Sequence, residues 1–125
     1  MNIQKFTQKS IEAVQGCEKL AYEYGNQEIE QEHLLYSLLT LEDSLILKLV
    51  EKMDIQKQYF LNRVEQALNK RVKVQGGQHF MGQHLNKVLI SAEDEAKQLG
   101  DEYVSVEHLF LAMLKAPNKE IAEIF

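Results

Sequence analysis

The strongest constraint on the fold of this chain is an internal repeat. Residues 32–39 read EHLLYSLL and residues 107–114 read EHLFLAML, 75 positions later. The register extends backward without a gap, so that Gly25 falls on Gly100. Repeated segments of this kind indicate repeated supersecondary units, each of which needs a neighbour to bury its apolar face. The sequence therefore predicts two helical units that pack together around a pseudo-twofold axis.

The first helix of the first unit is bounded by clear signals at both ends. Apolar residues recur three and four positions apart over residues 14–24, which is the pattern of one helix face. Thr7 is expected to be the N-cap, because a threonine hydroxyl can accept a hydrogen bond from a free backbone N–H. Gly25 is expected to end the helix, because glycine readily adopts the left-handed backbone that closes a helix.

Three more helices are expected in the first unit, which spans about residues 6–69. The leucines of 34–39 give the apolar stripe of the second helix. Helices over about 43–53 and 55–69 follow, because apolar residues recur there at helical spacing. The predicted fold class is therefore all-α, with two related units in one compact bundle.

The two units are expected to form a single domain that covers residues 1–125. Residues 70–80, KRVKVQGGQHF, are the expected loop between them, because the glycine pair and its polar neighbours suit an exposed connection. The second unit, at about 81–125, repeats the helix–turn–helix pattern until Pro117 interrupts it, and Asn118 is expected to cap a last helix. This unit is shorter than the first, so we expect a truncated repeat and a fragment of a longer protein.

Composition excludes several classes of partner. Among 125 residues, 45% are apolar and 26% are charged, which is ordinary for a globular domain, and the formal net charge is -5. Nucleic acids and anionic membranes bind clustered Lys and Arg, so neither is an expected partner. The one short basic run, Lys70, Arg71 and Lys73, is interpreted as part of a solvated loop.

Cysteine content and hydropathy indicate a cytoplasmic protein. The only cysteine, Cys17, cannot form an internal disulfide, and its place in a helical apolar pattern favours a buried side chain over a nucleophile. No apolar stretch approaches the 18 residues of a membrane-spanning helix, and the first residues lack the apolar core of a signal peptide.

No catalytic, metal or phosphate-binding motif is found. His33 and His108 each follow a glutamate, which is a pair of residues also found in zinc proteases. The motif of those proteases, His-Glu-x-x-His, needs two histidines four positions apart, and neither segment has this spacing. Both histidines are expected to hydrogen-bond backbone groups near a helix start. Gly76 and Gly77 are followed by Gln78 rather than by the Lys and Ser or Thr of a phosphate-binding loop. We therefore expect no catalytic residue, no metal and no cofactor in this chain.

Several segments resemble a known family. GNQEIEQEHLLYSLL and GDEYVSVEHLFLAML are similar to the two repeat signatures of the Clp N-terminal domain, and FTQKSIEAV and NKVLISAEDEA fit the same pattern. The resemblance covers nearly the whole chain in the right order. With the VQGGQHF loop, the wording is more similar to ClpB-type disaggregases than to the ClpA or ClpC unfoldases.

The resemblance implies a function without catalysis in this fragment. The parent protein would be a homohexameric AAA+ ATPase that uses ATP and Mg to thread aggregated polypeptide through a pore, together with the DnaK system. This fragment would be monomeric, would hold no ATPase, and would capture exposed apolar segments of unfolded protein. The alternative is an adaptor- or phosphoarginine-binding domain of a ClpC- or ClpA-type proteolytic unfoldase.

The resemblance also implies two polar sites. The start threonine and the glutamate of each EHL segment line them in the family, which here are Thr7 and Glu32 in the first site and Glu107 in the second. Gly82 stands where the second threonine would be, so the second site lacks a hydroxyl. The structural alternative is that Thr7 only caps a helix and that both glutamates only favour the positive end of a helix dipole.

The apolar part of the implied site is a groove where the first helices of the two units and their partners meet. Burial of apolar client side chains there would contribute about 25 cal/mol per Å². The alternative is that most of the candidate side chains are simply core. The candidates for this groove are Ala13, Phe80, Met81, Leu89, Val106 and Phe110.

Overall fold

The helix order repeats once along the chain. The computed structural model describes residues 2–125, and they form seven α-helices, which confirms the all-α, two-repeat prediction. Helices α1 and α2 of the first unit correspond to α5 and α6 of the second. The helices are α1 (Gln8–Tyr24), α2 (Gln31–Thr40), α3 (Leu45–Lys52), α4 (Lys57–Lys70), α5 (Gln83–Gln98), α6 (Val106–Lys115) and α7 (Lys119–Ile124).

The predicted helix ends are found where the sequence places them. Thr7 caps α1 and Asn118 caps α7, and each side chain accepts a backbone N–H three residues further on, at 3.2 and 2.9 Å respectively. Gly25 and Gly100 follow α1 and α5 with φ of 72° and 74°, the left-handed conformation that glycine adopts most easily. Local capping residues therefore mark the starts of α1 and α7 and the ends of α1 and α5.

Two short parallel strand contacts, which the sequence does not predict, cross between the repeats. Strands β1 (Glu28–Ile29) and β2 (Phe80–Met81) form one of them, in which Gly82 N donates to Ile29 O at 2.7 Å. In the other, Thr7 N donates to Val104 O at 2.9 Å. Thr7 and Gly82 are 75 positions apart, as are Ile29 and Val104, so the two contacts are equivalent. Each repeat thus pairs with the backbone of the other.

The loop between the repeats is held against the first unit. Val74 N donates to Gly25 O at 2.9 Å, and Asn26 Nδ2 donates to Val72 O at 3.1 Å. The interpretation of Arg71 as a solvated loop residue is wrong, because only 18% of its side chain is exposed and its guanidinium is ion-paired. The basic run is split: Lys70 and Lys73 are exposed, while Arg71 turns inward.

Helix α2 lies at the centre of the bundle. Eight of its ten residues are buried, including its polar first turn of Gln31, Glu32 and His33. Buried polar groups need hydrogen-bond partners, so this turn must be satisfied by neighbouring segments. None of the helices formed by residues 2–125 combines the length and hydropathy that a bilayer crossing requires.

Candidate functional site

An apolar depression opens where the first helices of the two repeats meet. Its volume is about 170 Å³. Helices α1 and α5 form its long sides, and side chains from β1 and β2 form its end, so both repeats contribute. The lining residues are Val14, Gln15, Cys17, Glu18, Ile29, Met81, Leu85 and Leu89.

Strand β2 carries two exposed apolar side chains, of which Met81 lines this depression. Met81 is 41% exposed and Phe80, next to it, is 52% exposed. Leu89 also lines the depression but is only 1% exposed, so it forms part of the floor. Of the six apolar candidates, these three lie at or beside one place on the surface.

The other three apolar candidates lie in the core. Ala13 is 0% exposed, Phe110 5% and Val106 8%, which leaves them little surface for a ligand. Phe110 packs edge-on against Phe125 of the chain's last turn, with ring centroids 5.9 Å apart. The core alternative therefore fits these three residues better than a groove role.

Cys17 lies under the depression as a buried apolar side chain. Burial raises the pKa of its thiol well above the ordinary value, and its Sγ donates to Ala13 O of the preceding turn at 3.4 Å. A thiol that stays protonated is a poor nucleophile, so Cys17 contributes apolar surface to the depression rather than a reactive group.

Glu32 is fixed by a buried network that the sequence does not reveal. Its side chain is 0% exposed; Arg71 Nη1 donates to one carboxylate oxygen at 2.6 Å and Asn118 Nδ2 donates to the other at 2.7 Å. Arg71 Nη2 also donates to Glu28. The carboxylate of Glu32 therefore joins the inter-repeat loop to the start of α7.

Gln31 strengthens the same junction. Its Nε2 donates to Ala116 O at 3.0 Å and to His84 O at 3.3 Å, while its Oε1 accepts from Asn118 N at 2.8 Å. No sequence motif singles out Gln31. The one feature of the sequence that could have indicated a buried role for Gln31 is its place in the polar first turn of a helix that is otherwise rich in leucine.

Thr7 and Glu107 differ in their surroundings. Thr7 is half-buried, and its Oγ1 both caps α1 and donates to Ser10 Oγ at 3.0 Å. Ser10 Oγ in turn donates to Val104 O at 2.8 Å. Glu107 is exposed in the first turn of α6, where a carboxylate is favoured by the helix dipole. Of the two EHL glutamates, only Glu107 faces solvent.

The buried side chain of His33 caps the start of α2. Its Nδ1 accepts from Glu30 N at 2.9 Å, and its Nε2 is 3.0 Å from Asn26 Oδ1, so Nε2 carries the proton. Burial, followed by the positive charge of Arg71, lowers the pKa of His33 to about 4. The ring is therefore neutral at pH 7.

His108 repeats the same arrangement in the second unit. Its Nδ1 accepts from Ser105 N at 2.9 Å and its Nε2 lies 2.8 Å from Asp101 Oδ2. The prediction that both EHL histidines satisfy backbone groups at a helix start is confirmed. Within residues 2–125 no three His, Cys, Asp or Glu side chains converge as metal ligands.

Glu30 takes the place of the hydroxyl that is missing at Gly82. Its Oε2 accepts from His84 N at 3.1 Å and thereby caps α5, while its Oε1 accepts from Gln31 N at 2.9 Å. A Cβ atom on Gly82 would lie 2.4 Å from Glu30 Oε2, so glycine leaves the room that this carboxylate fills. Burial raises the pKa of Glu30.

We expect Gly82→Thr to destabilise the domain by about 1–3 kcal/mol, because the new side chain overlaps the carboxylate of Glu30. The double variant Gly82→Thr with Glu30→Ser should recover most of that loss, since the threonine can then cap α5 itself. Urea unfolding followed by circular dichroism measures both. A single variant as stable as the original chain would contradict the overlap.

Comparison with known proteins identifies the family. The family model described as the Clp repeat (R) N-terminal domain matches residues 5–125. The chain belongs to the Clp N-terminal domain family. The chaperone protein ClpB of Nitratidesulfovibrio vulgaris is 40% identical over 126 residues, which covers 97% of this chain and 15% of that protein. ClpB of Porphyromonas gingivalis is 39% identical over 114 residues, covering 91% of this chain and 13% of that protein.

Solved Clp N-domains share the fold. The Hsp104 N-terminal domain from Candida albicans has a TM-score of 0.84 at 24% identity, covering 97% of this chain and 79% of that one. A ClpV N-domain in complex with a VipB peptide has a TM-score of 0.76 at 21% identity, covering 98% of this chain and 78% of that one. Compared with the ClpB chaperones, this Clp N-domain spans only 13–15% of the length of the relative.

Proposed function

We propose that this Clp N-domain is the substrate-binding module of a ClpB-type disaggregase. It captures exposed apolar segments of unfolded or aggregated polypeptide in the depression between α1 and α5. The observation that carries this proposal is the position of Met81: its side chain is 41% exposed and lines an apolar depression built by both repeats. The solved complex of a ClpV N-domain with a VipB peptide supports a peptide-binding role for the fold.

The small size of the depression makes binding by one domain weak. Full burial of one large apolar side chain contributes about 1.5–3 kcal/mol, whereas millimolar affinity already requires about 4 kcal/mol. A homohexameric parent would hold six copies near one client, and linkage of weak sites raises the overall affinity strongly. The ATP- and Mg-dependent threading, the cooperation with DnaK and the cytoplasmic location belong to that proposed parent protein.

The phosphoarginine alternative has less support in this chain. A guanidinium ligand needs a free carboxylate, but both oxygens of Glu32 already accept hydrogen bonds from Arg71 and Asn118. In the second repeat Glu107 is exposed, but the side chain of Glu30 fills the space beside Gly82, where the hydroxyl of that site would stand. An adaptor-binding role in a ClpC- or ClpA-type protein would be decided by the sequence of the whole protein.

We expect Met81→Glu to weaken the binding of an unfolded, carboxymethylated protein about tenfold, because it places a charge at the apolar depression. Leu45→Glu is the matched control, since Leu45 on α3 is 42% exposed and Met81 is 41% exposed. Fluorescence anisotropy of the labelled client measures both variants. Binding should persist in high salt, since screening weakens charge contacts and not apolar ones. Equal losses for both variants, or binding abolished by salt, would contradict the proposal.

A further inference from the structure

Strand β2 has one paired edge and one open edge. Phe80 N donates to Gln27 O at 3.0 Å and Gly82 N donates to Ile29 O at 2.7 Å, so the alternate amides face β1. The amide of Met81, between them, points away from β1 and has no acceptor among residues 2–125. The sheet has only these two strands, so the backbone of Met81 forms an unpaired edge at the surface.

The equivalent edge in the other repeat is closed. Phe6 occupies the position that corresponds to Met81, 75 residues earlier, and Phe6 N donates to Ile3 O at 3.1 Å. The short 3-10 turn Ile3–Lys5 supplies that acceptor, and Phe6 is 5% exposed against 41% for Met81. The fold thus satisfies one of two equivalent strand edges and leaves the other available.

A depression borders each face of the open strand. Met81 lines the apolar depression between α1 and α5. Phe80, whose side chain points to the other face of the strand, lines a second cavity of about 250 Å³ that has both apolar and polar walls. The other residues that line this cavity are Val72, Val74, Gln27, Glu28 and Arg71. A strand placed beside β2 would therefore meet apolar side chains on both of its faces, with polar groups beside the second.

We propose that β2 receives an extended segment of the client as a third strand that runs antiparallel to it, so that the client residue opposite Met81 exchanges both backbone hydrogen bonds with Met81. This inference rests on the proposed function and specifies the conformation and pattern of the segment. The client residue opposite Met81 places its side chain towards the depression between α1 and α5, and its two neighbours point towards Phe80. The preferred ligand is therefore a short run of consecutive apolar residues in extended form, such as Val-Leu-Val, rather than one face of an amphipathic helix.

The partner peptide offers one test that leaves the domain unchanged. The probe is fluorescein-labelled Lys-Lys-Ser-Val-Leu-Val-Ser-Lys-Lys, compared with the same peptide in which an ester replaces the amide at the central leucine. The ester removes one N–H donor and keeps every side chain. We expect the ester peptide to bind the domain about fivefold more weakly, which is the usual effect of one lost hydrogen bond. Equal affinities would overturn the third strand.

The domain offers the complementary test. Met81→Pro removes an N–H that bonds nothing among residues 2–125, at an edge position where proline is tolerated. Met81→Leu keeps both the amide and an apolar side chain, and is the reference for the comparison. We expect Met81→Pro to bind the amide peptide about five- to tenfold more weakly than Met81→Leu. Circular dichroism and thermal unfolding report whether Met81→Pro is folded, and if it is not, the ester comparison decides.

The outcomes separate this inference from the proposed function. Loss of binding in Met81→Glu, with equal affinities for Met81→Pro and Met81→Leu, would retain capture in the depression and remove the third strand. Failure of the unaltered domain to bind either the peptide or the unfolded client would remove both.

Discussion

Replacement of Arg71 by methionine is expected to lower the free energy of unfolding by about 3 kcal/mol. The substitution keeps most of the side-chain volume but leaves the carboxylate of Glu32, which is 0% exposed, without its cation. Loss of one partner from a buried ion pair is costly because the remaining charge is no longer compensated. Urea unfolding at pH 7, followed by circular dichroism, measures the change.

Two further variants isolate the cause. Lys70→Met removes the same charge from the neighbouring exposed position and should change stability by less than about 0.5 kcal/mol. Glu32→Gln added to Arg71→Met should recover part of the loss, because no uncompensated charge then remains at this position. An Arg71→Met variant as stable as Lys70→Met would show that the network with Glu32 contributes little.

Acidification from pH 6.5 to pH 4 is expected to remove up to about 3 kcal/mol of stability through His33. Burial, followed by the positive charge of Arg71, lowers the pKa of His33 from 6.5 to about 4 in the folded chain. The negative charge of Glu32 acts in the opposite direction but is a smaller effect. Between these two pH values the unfolded chain binds more protons than the folded chain, so stability falls as pH falls. Glu30 acts in the opposite sense, because its raised pKa favours the folded chain as its carboxylate is protonated.

Comparison with His33→Gln over the window from pH 6.5 to pH 5 isolates the contribution of His33. Urea unfolding across this window should give a steeper decline for the original chain than for His33→Gln, which cannot gain the proton. NMR titration of the ring protons of His33 provides an independent reading. A ring that titrates near pH 6.5 in the folded domain, or the same slope in His33→Gln, would contradict the assignment.

The sequence predicts correctly the helices and caps that depend on residues close together in the chain. The periodic apolar positions and the caps at Thr7, Gly25 and Asn118 are local, and each predicted helix is present with ends close to those expected. The EHL histidines were also interpreted correctly, because a side chain three residues after the cap can reach back to the cap's N–H.

The remaining features depend on residues far apart in the sequence. Strands of two residues carry no periodic signal, so the sequence alone does not predict β1 and β2, which form only where the two repeats pack together. Arg71 looked like part of a basic loop because its partner Glu32 lies 39 positions away. From the sequence, Gly82 indicates only that the second site lacks a hydroxyl. The carboxylate of Glu30, which takes its place, comes from the other repeat, 52 positions earlier in the sequence.

The crossed strand contacts have a consequence for synthesis on the ribosome. Thr7 N reaches its acceptor on Val104 only after 97 further residues have been translated, so the first helix leaves the exit tunnel long before its partner exists. Contacts between distant residues also slow folding, because a large loop must close before they form. A newly made chain of this kind therefore carries unsatisfied apolar surface until Val104 and its neighbours have emerged, and during that interval it is itself vulnerable to aggregation.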